Sequence, residues 1–393
     1  MHSATAVTYE TFDQEAAALE LVAQIRSSMP ETRNRCGILF LDPDYDGEAL
    51  TARLEKKLDM PVIGATSAAM LSGGGYHADC ATLLVLGGDD CVFSTALSGD
   101  ITGDTAEEAL AACYERARAG LGKAEPVMTF LLSAPSPGCT EDVKLAMLHR
   151  ISGGMPVFGG VAADRFEFAH TRVFGEGSSG ASSVALLLIG GNVRPKFVMR
   201  NMPRKHLSRS RITGAHTNVV HTIDGVPCRK YMEEHGADCS STMALHFTPL
   251  LVETRDCHKG EEHVVCRPII SFDEETGDGI TITAVPEGSA VTVQAIEPAD
   301  IAASCREAMQ ALLVEMEADP GYTYSTVIII TCAARHMVLA FDKEREAMLA
   351  EEILPPSLTR GGYYSFGEFC PIAVQNGKAD NRLHNLSLGL CAL

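Results

Sequence analysis

The 393-residue chain contains no tryptophan, and aromatic residues make up only 6% of it. This scarcity argues against a platform for single-stranded nucleic acid, because such platforms stack bases on exposed aromatic rings. The longest aliphatic runs, such as 184–189, are far shorter than the roughly 20 residues that a membrane-spanning helix needs. Residues 1–20 show no basic stretch followed by an apolar run, so no signal peptide is predicted. These absences indicate a cytoplasmic protein with no membrane partner.

Basic residues are also few. There are 32 Lys and Arg against 51 Asp and Glu, which gives a net charge of −19. Such an acidic surface repels nucleic acid and anionic lipid, so neither is expected as a partner. The 13 cysteines are scattered, often within apolar runs, and include no C-x-x-C pair. We therefore expect reduced cysteines, and we predict neither a cofactor nor a metal.

A six-residue phrase occurs twice. Residues 60–65 (MPVIGA) reappear as 155–160 (MPVFGG), an offset of 155 − 60 = 95 residues. Self-similarity at a fixed offset indicates that one structural unit is built twice. A duplicated scaffold favours a functional cleft between units over a single catalytic motif.

Apolar periodicity predicts the same succession around both copies: helix, buried strand, helix, short strand and two further strands. In the first unit these elements lie at 12–28, 36–41, 47–58, 62–65, 80–86 and 91–97. In the second unit they lie at 104–119, 127–132, 140–151, 157–160, 183–189 and 196–200. A more degraded third copy has helices at 298–317 and 342–353, strands at 326–331 and 386–390, and segment 361–367 in place of the phrase.

The expected fold class is α/β (mixed α+β). Tandem duplicated helix-strand-helix-strand-strand units would form layered sheets with helices packed on them, in two domains. The first domain is expected at 1–205, with internal units at about 11–98 and 104–202. The second is expected at 217–393, with a strand-rich part at 217–296 and the third unit at about 297–391.

A local positive band interrupts the acidic chain near the boundary between these halves. Its members are Arg194, Lys196, Arg200, Arg204, Lys205, Arg209 and Arg211. Such a run is typical of a solvated strand face and linker. Alternatively, the band binds an anion or docks a partner.

Three motifs resemble known sites only in part. Asp42-x-Asp44-x-Asp46-Gly47 matches the first half of a calcium loop, but Arg53 stands where a bidentate Glu is required. We expect Asp46 to cap the helix at 47–58 instead.

Gly175-x-Gly177-x-x-Gly180 matches a dinucleotide fingerprint as a string, but its context predicts a glycine-rich hairpin. The possible zinc ligands Cys257, His258, His263 and Cys266 lack the spacing of two short knuckles, so no metal site is expected.

Two cysteines support an alternative function, a thiol-dependent hydrolase or transferase. Cys139 opens a predicted helix, whose N-terminus can lower a thiol pKa, and Cys332 ends a buried strand. No set of His, Asp and Cys with recognisable spacing supports either residue as a nucleophile. Arg335 follows the same strand and either clamps a carboxylate or caps the next segment at the surface.

Tyr363 and Ser365 would share one face of a strand, with Glu368 close behind. Two hydroxyls and a carboxylate suit recognition of a polar ligand, including an ammonium group. The alternative is a sheet edge that exposes polar groups.

Six segments of the chain together resemble the FIST family, named for F-box and intracellular signal-transduction proteins. The first half is similar to the FIST N domain in 61–67, 81–86 and 156–164. The second half resembles the FIST C domain in 331–335, 362–368 and 383–387. The resemblance covers nearly the whole chain.

The resemblance implies a sensory module that binds small ligands, usually proposed to be amino acids or their derivatives. Relatives often carry kinase, cyclase, chemotaxis or F-box parts; none is expected here, so output would pass through a separate protein partner. We therefore predict a cytoplasmic sensor that binds amino acids or related carboxylates and is not an enzyme, with no catalytic residue. The expected ligand-binding residues are Arg335, Tyr363, Ser365, Glu368, Asn385 and Cys332, with Thr66, Ser67 and Asp164 at the equivalent places in the first two units.

Overall fold

The structure is a computed structural model that describes residues 1–73, 75–205, 209–255, 260 and 262–393. Within these ranges the chain forms nine α-helices and 26 strands in four sheets. Three sheets are built from the repeated units, and the segment between the second and third units forms the fourth. The predicted mixed α/β class, with duplicated units and helices packed on layered sheets, is confirmed.

The elements follow the predicted order in the first two units. The first contains β1 (His2–Thr8), α1 (Gln14–Ser28), β2 (Asn34–Leu41), α2 (Gly47–Leu58), β3 (Val62–Thr66), β4 (Met70–Ser72), β5 (Gly75–His77), β6 (Ala81–Gly88) and β7 (Cys91–Leu97). The second contains α3 (Ala106–Gly120), β8 (Pro126–Ser133), α4 (Glu141–Ile151), β9 (Val157–Val161), β10 (Val173–Gly175), β11 (Ser178–Gly180), β12 (Val184–Gly191) and β13 (Lys196–Arg200).

The strand-rich segment and the third unit complete the chain. The segment contains β14 (Ser210–His216), β15 (Val219–Ile223), β16 (Val226–Pro227), α5 (Cys228–Glu234), α6 (Thr242–Leu245), β17 (Leu250–Arg255), β18 (Glu262–Arg267), β19 (Ile269–Phe272), β20 (Gly279–Thr281) and β21 (Ala290–Val293). The third unit contains α7 (Pro298–Glu317), β22 (Thr326–Cys332), α8 (Ala333–Leu339), α9 (Arg345–Ile353), β23 (Thr359–Ser365), β24 (Glu368–Gln375), β25 (Lys378–His384) and β26 (Leu388–Ala392).

The repeated phrase occupies the same place in each unit, the second strand of a parallel pair. β3 pairs with β2, β9 with β8 and β23 with β22. One glycine of each phrase lies so close to the partner strand that an added Cβ would come within 3.0 Å of a carbonyl oxygen. The facing pairs are Gly64 with Leu39, Gly159 with Leu131 and Gly362 with Ile329. Because only glycine permits this approach, the phrase recurs wherever the pair is built.

Replacing Gly159 by alanine is therefore expected to lower the free energy of unfolding by about 1–3 kcal/mol, because the new methyl group forces the two strands apart. Urea denaturation followed by circular dichroism measures the change. Gly321→Ala is the matched control, since no atom lies within 4 Å of its added Cβ, and it should change stability by less than about 0.5 kcal/mol. Equal losses in the two variants would contradict the close-approach explanation.

Each unit also contributes strands to a sheet outside itself: the first and second units add strands to both other sheets, and the third adds strands to the sheet of the second. β7 of the first unit pairs with β12 of the second, and β13 of the second pairs with β26 of the third. Hairpins extend the sheets in the opposite direction: β10–β11 adds to β3, β24–β25 adds to β9, and β4–β5 adds to β23. The strand exchange links the three units into one ring. The glycine-rich hairpin predicted at 175–180 is confirmed as β10–β11.

The three sheets face one another across a shared core. Buried side chains from the first strand of each parallel pair, including Phe40, Phe130 and Ile330, belong to one apolar cluster. The outer face of each sheet is covered by the helices of its own unit, α1 and α2, α3 and α4, or α7 and α9. Burial on both faces explains why these strands appear in the sequence as continuous apolar runs.

The fourth sheet, residues 210–293, is called the insert sheet below. Its strand order is β18-β17-β21-β14-β15-β20-β19, with β16 beside β15. Leu251 and Cys266 of this sheet pack against Cys332 and Leu386 of the third unit. The insert sheet thus docks beside the carboxyl ends of β22 and β23.

Acidic residues of the following elements neutralise much of the basic band at 194–211. Arg194 binds Asp319 at 2.9 Å, and Lys205 binds Asp300 at 2.6 Å. Arg204 and Arg209 both bind Glu253 of the insert sheet. These residues therefore form a seam between the second unit and the rest of the chain. Their ion pairs argue against a free docking strip, whereas the exposed side chains of Arg194 and Arg209 agree with the other alternative, a solvated strand face and linker.

The described helices contain no segment both long and apolar enough to cross a membrane.

Candidate ligand-binding site

The ends of the three repeated strands meet near the centre of the ring. The amide of Ala163 donates to the carbonyl of Thr66 (2.9 Å), which joins the second unit to the first. The amide of Val161 donates to the carbonyl of Gly367 (2.8 Å), which joins the second to the third. The amide of Tyr364 donates to the carbonyl of Ala69 (2.9 Å), which closes the circle. Side chains that follow β3, β9 and β23 are thereby brought together.

A cavity of about 670 Å³ opens beside this junction. Its walls come from the start of α4, the loop after β9, the turn between β23 and β24, and the insert sheet. Most of the wall is apolar, with Met243, Met337 and Leu383 among its members. It is called the aromatic cavity here because three phenylalanines line it: Phe166, Phe168 and Phe366.

The three phenylalanine rings form one cluster. Phe168 stacks on Phe366 with ring centres 4.6 Å apart, and Phe166 lies 5.7 Å from Phe366. Phe168 remains 56% exposed, so its ring can contact a ligand without first leaving a core. Both Phe166 and Phe168 have left-handed backbone angles (φ 66° and 54°), which bulky residues rarely adopt. Such conformations persist only where surrounding contacts impose them.

Asp164 imposes this loop conformation. Its buried carboxylate accepts hydrogen bonds from the amides of Glu167, Phe168, Ala169 and His170, at 2.9–3.1 Å. Four bonds to one carboxylate hold the loop in a single path. Asp164, predicted as a ligand contact, instead positions the aromatic rings that line the cavity.

A buried ion pair lies at the base of the aromatic cavity. Lys144 donates to Glu141 Oε1 (2.7 Å), to Ser133 Oγ (3.1 Å) and to the carbonyl of Ala134 (2.6 Å). Glu141 lines the cavity and is only 7% exposed, yet its Oε2 atom has no hydrogen-bond partner among the described residues. Burial raises the pKa of Glu141, although Lys144 opposes the shift. The unpaired oxygen is thus an acceptor available to a ligand.

Behind this wall lies a second group of buried polar side chains. We call it the inner polar cluster; it consists of Tyr363, Ser365, Glu368, Asn385 and Ser387. Ser365 and Ser387 donate to the two carboxyl oxygens of Glu368, at 2.7 and 2.5 Å. Burial raises the pKa of Glu368 to about 8, so the carboxyl group is largely protonated near neutral pH.

The inner polar cluster contains unsatisfied atoms. Within the part of the chain that the structure describes, the Tyr363 hydroxyl and both polar atoms of the Asn385 side chain lack hydrogen bonds. Such buried atoms cost free energy unless water or a ligand satisfies them. Of the residues predicted from the sequence, Ser365 and Glu368 are in direct contact, and the charge of Glu368 adds to the burial that raises the pKa of Tyr363.

The inner polar cluster is close to the aromatic cavity. A Cβ built on Gly367 would lie 3.6 Å from Asn385 Nδ2 and within 3.3 Å of Val161 and Leu383, both of which line the cavity. The charge of Glu141 also adds to the burial that raises the pKa of Tyr363. One layer of side chains therefore separates the two.

Arg335 does not reach this site. Its guanidinium group is fully buried and donates to Glu346 Oε1 (2.7 and 2.9 Å), to Ser304 Oγ (3.1 Å) and to the carbonyl of Ile301 (3.3 Å). These internal partners engage the donors that an anionic ligand would need. We therefore revise the prediction for Arg335, which lies on α8 and joins it to α7 and α9. The surface alternative is wrong because the residue is 0% exposed.

The other predicted residues also hold the scaffold. Thr66 Oγ1 bonds the backbone of Arg172, and Ser67 Oγ donates to the carbonyls of Ala69 and Tyr364. Cys332 is buried between β22 and the insert sheet, and burial raises its pKa well above the ordinary value. These contacts favour a structural role for all three.

Neither candidate nucleophile has an activated thiol. Cys139 does line the aromatic cavity, but burial raises its pKa and only Lys144 opposes the shift. Burial likewise raises the pKa of Cys332. A thiol nucleophile needs the opposite shift, because the thiolate is the reactive form.

The remaining motifs hold the structure together. Asp46 caps α2 by accepting from the amide of Ala49, as predicted, while Asp42 and Asp44 bind Arg165 at 2.6 and 2.7 Å.

Two of the possible zinc ligands, at 257 and 258, lie outside the described residues. Among the residues that are described, no three His, Cys, Asp or Glu side chains group as metal ligands.

The sequence analysis missed the residues that line the cavity itself. Glu141 and Lys144 are separated by three positions at the start of α4, and this spacing was a usable signal. The sequence gives no comparable signal for Phe166 and Phe168, because their loop has no apolar periodicity.

Comparisons with known proteins concern the whole chain. The sequence pattern of the FIST N domain matches residues 35–226, and that of the FIST C domain matches residues 228–371. Two cyanuric acid hydrolase structures align over nearly their full length. The first, described as "evolutionary innovation by structural concatenation", covers 100% of this chain and 99% of its own, with 10% identity and a TM-score of 0.32. The second, from A. caulinodans, covers 99% of this chain and 98% of its own, with 8% identity and a TM-score of 0.34. PurLQS from Thermotoga maritima aligns over 99% of this chain and 71% of its own, with 10% identity and a TM-score of 0.22. No curated protein matches the chain in sequence.

Proposed function

The chain belongs to the FIST family, whose domains are sensory modules for small ligands, and on that premise we propose that it binds its ligand in the aromatic cavity. One observation carries the proposal. A cavity of about 670 Å³ combines a mostly apolar wall with a buried carboxylate oxygen, Glu141 Oε2, that has no partner among the described residues. Small-molecule sites typically pair a large apolar surface with a few convergent polar groups.

The lining indicates the kind of ligand. Phe166, Phe168 and Phe366 offer ring faces to an apolar or aromatic body. Glu141 Oε2 offers an acceptor, so the polar end of the ligand should carry an N–H donor, most favourably an ammonium group. Apolar amino acids and related amines meet both requirements. A carboxylate facing Glu141 would meet repulsion, so simple carboxylates fit this position less well.

Sensing would follow from the position of the cavity between two parts of the chain. Met243 and His246 come from residues 210–293, which form the insert sheet, while Glu141 and Phe366 come from the ring of repeated units. A ligand that contacts both parts favours the arrangement in which they are closed on each other. A protein output partner would then recognise that arrangement.

Replacing Phe168 by alanine is expected to weaken binding of phenethylamine or phenylalanine about tenfold, because the stacked ring contact is lost. In the unchanged protein a saturating amine should raise the melting temperature by about 2 °C or more. 3-Phenylpropionate, which has the same ring and a carboxylate end, should give no shift. Calorimetric titration supplies the dissociation constants.

Phe341→Ala is the matched control for this experiment. Phe341 is fully exposed and lies outside the cavity lining, so its loss should leave the dissociation constant unchanged. Glu141→Gln removes the acceptor charge and should abolish the preference for the amine over the carboxylate. An equal response to amine and carboxylate in the unchanged protein would contradict the role of Glu141.

A further inference from the structure

A second opening lies on the other side of Leu383, a residue that lines both spaces. It has a volume of about 580 Å³ and lies between α4, the β24–β25 hairpin and the insert sheet. We call it the charged cleft, because its lining includes several charged side chains, among them Asp142, Arg150, Arg267 and Arg382. The proposed function does not use this space.

Most charges of the cleft are paired within the protein. Arg382 binds Asp380 at 2.7 Å, and Arg150 binds Glu107 at 2.9 Å at the rim. Glu253 accepts from two basic residues of the seam described above. His149, which also lines the cleft, contacts Asn381 Nδ2 at 3.3 Å. Arg267 and Asp142 are the charged lining residues that form no ion pair among the described residues.

Arg267 at the end of β18 has spare donors. Its Nη1 donates to the carbonyl of Cys266 (2.9 Å) and its Nη2 to the carbonyl of Leu383 (3.2 Å). A guanidinium group has five N–H donors, so about three remain for other partners. No carboxylate among the described residues binds it, and desolvation lowers the pKa of Arg267 to about 10. A partly buried cation without a carboxylate partner is a position suited to an oxyanion.

Asp142 provides the opposite charge. It lies in the first turn of α4, and its buried Oδ1 atom has no hydrogen-bond partner in the described part of the chain. Its charge favours the protonated form of Arg267 through space, but the two side chains form no direct hydrogen bond. The neighbouring residues Glu141 and Asp142 thus face two different spaces, each with one unpaired carboxylate oxygen.

We propose that the charged cleft is a second binding site, for a small zwitterion whose oxyanion contacts Arg267 and whose cationic nitrogen contacts Asp142. A simple dianion would be repelled by Asp142, and a simple amine would be repelled by Arg267. A molecule that carries both charges some distance apart satisfies both residues. ω-Amino acids, aminoalkyl sulfonates and aminoalkyl phosphates share this chemistry.

Calorimetric titration with β-alanine, taurine and phosphoethanolamine tests the site and separates the three kinds of oxyanion. At least one of them should bind, and acetate and ethylamine, which carry one charge each, should bind at least about tenfold more weakly. Arg267→Gln and Asp142→Asn should each raise the dissociation constant of that zwitterion about tenfold or more. Should Arg267→Gln fail to fold, Asp142→Asn still tests the site, because Asp142 lies in the first turn of a helix and the exchange for asparagine keeps the size of its side chain.

Arg150→Gln is the matched control, because it removes a rim cation already paired with Glu107, and binding should stay within about twofold of the unchanged protein. The proposal is overturned if no zwitterion binds at about 10 mM, a level well above millimolar affinity, or if both cleft variants bind as the unchanged protein does. Phe168→Ala should retain zwitterion binding, and Arg267→Gln should retain phenethylamine binding. Failure of this site is therefore distinguishable from failure of the aromatic cavity.

Discussion

Replacing Arg335 by alanine is expected to lower the free energy of unfolding by about 3–5 kcal/mol. Arg335 and Glu346 are 0% and 1% exposed and lie 2.7 Å apart. Removal of the guanidinium group leaves the carboxylate of Glu346 buried, and among the described residues only the hydroxyl of Thr331 then donates to it. Urea denaturation followed by far-ultraviolet circular dichroism measures the loss.

Arg345→Ala supplies a matched comparison in the same region. Arg345 also binds an acidic residue, Asp342 at 2.7 Å, but both side chains of this pair are 44% exposed. Its loss should change stability by less than about 1 kcal/mol.

The double replacement Arg335→Met with Glu346→Leu should recover most of the stability lost by Arg335→Ala, because it removes both buried charges. The prediction would be contradicted if Arg335→Ala were as stable as the wild-type protein and had lost the thermal shift on ligand binding. That outcome would restore the anion-clamp role predicted from the sequence.

Replacing Glu368 by glutamine is expected to stabilise the protein above pH 8 by an amount on the order of 4 kcal/mol. The ordinary carboxyl pKa is 4.5, and burial raises that of Glu368 to about 8. Between these values the folded protein holds a proton that the unfolded chain has lost. Stability is therefore fully present below pH 4.5 and falls as pH rises towards 8. Glutamine resembles the protonated form and removes this slope.

Free energies of unfolding measured from pH 5 to pH 9 test the prediction for Glu368. Burial lowers the pKa of His384 to about 3, so that residue acts with the opposite sign and loses stability as pH falls below 6.5. Burial also raises the pKa of Glu141, so the difference between the wild-type and Glu368→Gln profiles from pH 6.5 to pH 8 isolates Glu368. Exposed Glu287 serves as the control position, and Glu287→Gln should leave the profile unchanged. A wild-type curve that stays flat over this interval would show that Glu368 is ionised at neutral pH.

The site could be predicted from the sequence only in part. Tyr363, Ser365, Glu368 and Asn385 were singled out because they lie in or beside strands with a clear apolar pattern, but none of them lines the aromatic cavity, and their role as ligand contacts stays a prediction. Arg335 was assigned to the wrong environment because its partner Glu346 lies on a separate helix, and periodicity does not show which helix faces a given side chain.

Two further features escaped the sequence analysis. The basic band appeared free because its partners, such as Asp319 and Glu253, are distant in the sequence, which is the same kind of cause as for Arg335. The strand β1 was missed for a local reason, because its buried side chains are small, Ala4 and Ala6 among them, and give a weak alternation.

Periodicity along the chain was enough to identify the duplicated units, their helices and most of their buried strands. That information is local, because each helix or strand repeats its apolar positions over a few residues. The repeated glycines marked equivalent positions, but the partner strands that they approach became visible only in the fold. The fold also established which units exchange strands, which polar groups meet behind the aromatic cavity and which charges remain unpaired. Pairing and burial depend on distances between segments, and a linear pattern carries no information about those distances.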